Sequence, residues 1–150
     1  MQHDPARVED TKTWLTKAAT DLAAGAHDLT VDPPFTGDAA FHAQQAGEKA
    51  LKGFLAWHDV PFGKTHDLSA LGRQCAEIEP TLAAIGQRAA TLTVYVWKYR
   101  YPGEPDEPPR EEAESALALA REVYAAILER LPADVHPPAR PSSSGSVTTE

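Results

Sequence analysis

The side chains best suited to chemistry in this chain fall in three separated segments. The first is Phe41-His42-Ala43-Gln44-Gln45-Ala46-Gly47-Glu48-Lys49-Ala50-Leu51-Lys52. On a helix, Gln45, Glu48, Lys49 and Lys52 stand at i, i+3, i+4 and i+7 and line up as one stripe. A stripe of amide, carboxylate and ammonium groups is either a prepared polar site or a solvated face. In the solvated reading Glu48 and Lys52 form an i,i+4 pair worth only about 0.3–0.5 kcal/mol. Gln44 and Lys49 are the members expected to face solvent.

The second segment is Lys64-Thr65-His66-Asp67-Leu68. As a histidine, His66 is of the residue type suited to hydrogen bonding or proton transfer; the bland alternative is a surface ring lying on a turn. The third is Lys98-Tyr99-Arg100-Tyr101-Pro102-Gly103. Its guanidinium between two tyrosines suits a phosphate and a stacked base. The same residues also end a helix, with Arg against the negative end of the dipole and Pro-Gly as the stop.

Other chemistries lack support. Six His and one Cys show no HExxH pattern and no paired-cysteine spacing, so neither a metal nor a cofactor is expected. There is no Walker loop, GxGxxG or GxSxG. Cys75 falls in step with Leu68 and Leu71 and is expected in the core. A lone cysteine also argues against a disulfide scaffold.

The elements that must position these residues are helical. Val8, Leu15, Ala18, Leu22, Ala26 and Leu29 recur at helical period from Arg7 to Leu29. Asp32-Pro33-Pro34 interrupts it, and Asp38 is the expected cap of a second helix reaching about His58. Thr65 or Asp67 caps a short third helix. Pro80 opens a fourth, with Leu82, Ile85, Ala89, Leu92, Val96 and Tyr99 in steps of three and four. An acidic, proline-rich loop leads to Arg110-Glu111-Glu112, where a last helix begins and runs to Leu131. The expected fold is all-α, an up-and-down bundle of about five helices over 7–131. Residues 132–150 are expected to be a disordered Pro/Ser-rich tail.

Composition narrows the setting. The chain has 150 residues, 42% of them apolar, enough for one domain with one core. A net charge of −8 opposes a broad nucleic-acid footprint but not a small basic site. With no apolar run near the ~18 residues of a membrane span, and no signal-peptide core, a cytoplasmic protein without membrane contact is expected.

The three segments, in this order, resemble the HEPN domain family, in the branch marked by Gln-Gln-Ala-x-Glu-Lys and Arg-Tyr-Pro. With its flanking helices the resemblance covers about Val8 to Leu131. It implies a bundle of about five helices, often a homodimer, and a frequent minimal nucleotidyltransferase partner in toxin–antitoxin pairs. Many members are metal-independent endoribonucleases, while others are thought to bind nucleotides. The family's ribonucleases carry Arg-x(4–6)-His near the start of the last long helix. Here neither Arg100 nor Arg110 is followed by such a His, and Arg130 to His136, split by Leu131-Pro132, is read as chance. The Tyr just beyond the His, which the partner can modify with AMP, is missing as well.

Three functional readings follow. In the first, Lys49, Lys52 and Arg100 hold the phosphate of a nucleotide or RNA, Tyr99 or Tyr101 stacks, and Gln45, Glu48, His66 and Asp67 complete a polar wall. In the second, an endoribonuclease toxin uses His66 as acid/base and Arg100 against the developing phosphorane. In the third, the polar residues only pin helix register.

Overall fold

The computed structural model describes residues 3–102 and 106–138. Among the described residues there are five α-helices: α1 (Pro5–Asp28), α2 (Thr36–Trp57), α3 (Leu68–Ile78), α4 (Ala83–Ala89) and α5 (Arg110–Glu129). Short 3-10 turns occupy Pro80–Leu82, Ala90–Val96 and Ala133–Val135. Among the described residues there is no strand, so the all-α bundle stands as expected.

The central helix is α2, which packs against α1, α3, α5 and the Ala90–Val96 turn. Ala43, Ala46, Gly47 and Ala50 are small enough to let neighbours approach on several sides, while Leu51, Phe54 and Leu55 fill the core. A Cβ on Gly47 would lie 3.0 Å from Leu68 Cδ2 and 3.4 Å from Leu92 Cδ1. Glycine there is therefore a packing requirement. The pairs Asp28–His42, Asp21–Lys49 and Lys52–Trp14 run in opposite directions along the two chains, so α1 and α2 are antiparallel.

Capping explains several boundaries. Asp4 accepts from Ala6 N with Pro5 in the first turn of α1, and Asp67 accepts from Ser69 N to cap α3, as its position predicts. The expected Asp38 cap is wrong. The second helix begins at Thr36 with no local side-chain cap, and Asp38 sits inside its first turn. Glu107, seventy residues on, takes that role: its carboxylate accepts from Gly37 N at 2.6 Å and Thr36 Oγ1 at 3.1 Å.

The fourth helix also differs from expectation, breaking into a 3-10 turn, the seven-residue α4 and a second 3-10 segment. Thr91, Thr93, Val94 and Val96 are β-branched and stiff against the preceding turn. The threonine hydroxyls compete for backbone as well: Thr91 Oγ1 donates to Arg88 O, and Thr93 Oγ1 accepts from Leu68 N. The segment ends with Tyr99 at φ 69°, in the left-handed region.

The expected tail begins too early. Val135 is fully buried, and the His136 ring donates through Nε2 to Leu128 O and Leu131 O, the open end of α5. One apolar side chain and one cap suffice to hold this stretch. The rest of the expected tail, 139–150, and the acidic-loop positions 103–105, Gly103 among them, lie outside the described residues.

Candidate functional site

The polar face of α2 is built around a buried carboxylate. Glu48 is 4% exposed and receives three donors. His66 Nδ1 lies 2.7 Å from Oε1, Gln44 Nε2 3.2 Å from Oε1, and Lys52 Nζ 3.3 Å from Oε2. Lysine and the amide NH2 only donate, so the site is built for an ionised Glu48, with the imidazole proton on Nδ1. Gln44 Nε2 also reaches His66 O at 3.4 Å, and its Oε1 accepts from Gln45 Nε2 at 2.6 Å. Gln44 is wholly buried, not solvated as its type suggested.

Lys52 is nearly as buried as its partner. Its Nζ stands 5.7 Å from the ring centroids of both Trp14 and Phe62, which meet edge to face. Those faces supply the electron density that a desolvated ammonium otherwise lacks. His66, in contrast, has 61% of its side chain exposed. Among the described residues its Nε2 has no hydrogen-bond partner. Asp67 is committed to the α3 cap.

Lys49 belongs to a second cluster, and the expectation that it faces solvent fails. Its Nζ lies 2.6 Å from Asp21 Oδ2, while His42 Nδ1 lies 3.2 Å from the other Asp21 oxygen. His42 Nε2 is 3.8 Å from Asp28 Oδ2. Burial pushes Asp21 up, but the hydrogen bonds and charges of His42 and Lys49 outweigh it and hold its carboxyl below the usual range. The Asp21 hydrogen bond outweighs burial at His42 and, with the charges of Asp21, Asp28 and Asp38, raises its pKa. Burial raises Asp28.

Arg100 meets the same α2 face from the third segment. Its guanidinium lies over the Phe41 ring, 3.6 Å from the centroid. Phe41 and Glu48 are seven residues apart and so share a face, offset by about 10 Å along the axis. The second and third segments therefore both reach α2, His66 at Glu48 and Arg100 at Phe41, contact points two turns apart along that helix. Tyr99 is engaged elsewhere: its hydroxyl donates to Glu112 at 2.9 Å and its ring stacks on Tyr95. Tyr101 is 62% exposed and free to stack on a ligand.

Residues that sequence reasoning missed are mostly partners. Asp21 carried a signal, a carboxylate set within the apolar stripe of α1. Phe41, Trp14, Phe62 and Thr93 gave none, because each acts across helices. The Arg130–His136 spacing has structural employment only: Arg130 donates to Thr81 Oγ1 and Ala126 O, and His136 caps α5. Cys75 is buried against Leu51 O with its thiol pushed up to about 12 by burial, so it serves as core. A groove of about 500 Å³ between α3 and α4, where Gly72 and Gly86 touch, contains none of the converging residues.

An all-helical bundle whose central helix carries a buried Gln-Glu-Lys network, closed by a THD turn and an RYP turn, is the class that fold and site define. The HEPN domain family matches residues 11–131, most of the chain, and the protein belongs to that family. HEPN domains are in general associated with nucleotides and RNA, often as ribonucleases or in toxin–antitoxin pairs. No curated protein and no solved structure matches the chain.

Proposed function

We propose that this HEPN protein binds a nucleotide or the end of an RNA along the exposed edge of the α2 site. The observation that carries the reading is the meeting of three distant segments on one helix face, with Glu48 on His66 at 2.7 Å and Arg100 on Phe41 at 3.6 Å. Roles within the site shift from those read in sequence. Lys49 and Lys52 are committed to Asp21 and Glu48, so of the three cations read for phosphate Arg100 is the one with no ion pair among the described residues. Tyr101 offers the stacking face, and His66 Nε2 a donor or acceptor at the far end. Calorimetric titration with nucleoside triphosphates and a short oligoribonucleotide tests this. Binding should weaken about tenfold or more in Arg100→Ala, the loss expected for one charge-assisted hydrogen bond. Absence of heat with every ligand would sink the reading.

A second reading, a metal-independent ribonuclease toxin, draws support from the exposed imidazole held by a buried carboxylate, an arrangement suited to proton transfer. The two-turn spacing on α2 between their contact residues, Glu48 for His66 and Phe41 for Arg100, weighs against their acting on one phosphorus within one chain. Growth arrest on expression, relieved by His66→Ala, would favour it. The family setting extends the proposal to a cytoplasmic homodimer with a minimal nucleotidyltransferase partner. No helix among the described residues is long and apolar enough to cross a membrane. The burial of Gln44, Glu48 and Lys52 also fits a register-fixing network, which is compatible with binding at its edge.

A further inference from the structure

His66 is arranged as a nucleophile as much as a ligand. Its Nδ1–H is held 2.7 Å from a carboxylate that is itself fixed by Gln44 and Lys52, and that carboxylate side chain is 95% buried, being 5% exposed. The ring is thereby locked as the tautomer with its lone pair on Nε2; 61% of the side chain is exposed, and among the described residues Nε2 has no hydrogen-bond partner. A carboxylate against Nδ1–H gains most when the ring becomes cationic, which is what happens when Nε2 forms a bond to phosphorus. Lys52 offsets the charge of Glu48, so an anionic donor approaching the ring does not meet an unbalanced carboxylate.

We infer that His66 Nε2 is a phosphoryl-acceptor site, with Glu48 as its positioning residue and a phosphoanhydride, the terminal phosphate of a nucleoside triphosphate, as the class of donor. In the step, the Nε2 lone pair forms the N–P bond as the bond from phosphorus to the bridging oxygen breaks. The nucleoside diphosphate leaves with that electron pair. The imidazole becomes a phosphoimidazolium whose Nδ1–H remains on Glu48, so no proton is gained or lost. The donor class rests on the nucleotide reading above; the reactivity of His66 does not.

The test uses phosphoramidate on the full chain, a small donor that transfers its phosphoryl group with ammonia leaving and needs no nucleotide pocket. Its other five histidines are internal references. Acid-labile, alkali-stable phosphate should accumulate on His66 about tenfold faster than on the exposed His27, and the phosphorus NMR signal that is absent from His66→Ala should be the Nε2 isomer alone. His66→Ala should remove the fast phase. Glu48→Gln should slow it and shift its pH profile; if that variant fails to fold, the isomer and the His66/His27 ratio in the unaltered protein still decide. Labelling of His66 no faster than His27, or a mixture of Nδ1 and Nε2 products on His66 itself, overturns the inference. Failure here with calorimetric nucleotide binding intact overturns the phosphoryl-acceptor role alone. Labelling without nucleotide binding overturns the donor class and the binding reading, and leaves His66 as the acceptor.

Discussion

Replacing Glu48 with glutamine separates a buried network from a solvated helix face. On a solvated face the Glu48–Lys52 pair contributes about 0.3–0.5 kcal/mol, and its loss is barely measurable. Here Lys52 has 9% of its side chain exposed and Glu48 5%. Removing one partner of a buried pair costs about 3–5 kcal/mol, because the other charge is left unpaired. Two features lessen that cost. Trp14 and Phe62, each 5.7 Å from Nζ, retain a cation–π attraction of roughly 0.5–1 kcal/mol apiece, and the lysine stem lets its head move toward water. Gln44 Nε2 keeps His66 O as an acceptor, and the exposed His66 ring recovers its hydrogen bond from solvent. The expected loss for Glu48→Gln is therefore about 2–4 kcal/mol. In the Glu48→Gln/Lys52→Met double variant the orphaned charge is gone. Stability should return to within about 1.5 kcal/mol of the parent, so the double variant should be more stable than Glu48→Gln alone by at least about 0.5–2.5 kcal/mol. Urea unfolding followed by far-ultraviolet circular dichroism, at fixed protein concentration, measures all four corners of the cycle. A loss under about 0.5 kcal/mol for Glu48→Gln, or additive losses in the double variant, would refute the buried-network account.

The other predictions concern the second cluster and the C-terminal segment. His42 has a raised pKa, so its contribution is complete below its unfolded value near 6.5 and is lost as pH rises through the higher folded value. Asp21, held low, loses its share only as pH falls below the usual carboxylate range. The α1–α2 clasp should thus be strongest in mild acid, and the melting temperature of the parent minus that of His42→Gln should shrink between about pH 6.5 and pH 8.5. A constant difference across that range would contradict the assignment. Truncation after Leu131 should cost about 2–3 kcal/mol relative to truncation after Pro138, since it removes buried Val135 and the His136 cap of α5. Equal denaturant midpoints for the two would show that the 3-10 turn contributes nothing.

Much of the architecture was legible because it is local. Helical period, the Asp67 cap and the acid-rich start of α5 are set by residues within a turn or two of each other, and α1, α3 and α5 form where those signals lie. The broken fourth helix shows the limit. Its apolar steps pointed to one helix, but β-branched crowding and a threonine drawn to Leu68 N decided otherwise. The start of α2 was legible to within a few residues but its cap was not, because Glu107 comes from seventy residues away.

For the site, the sequence by itself carried the family resemblance and the three segments that hold Glu48, His66 and Arg100. These are written as residue types at fixed spacing, and the chain cannot alter them. Only the tertiary structure decided which of the aligned polar side chains act together. Gln44, Gln45, Glu48, Lys49 and Lys52 all lie along one helix, yet Lys49 turns to Asp21 on α1 while Gln44, Glu48 and Lys52 are sealed into one network with His66. A helix face specifies direction alone. Whether a polar group there meets water, an opposing carboxylate or an aromatic wall depends on which helix packs over it, and that is fixed by contacts between residues far apart in the chain.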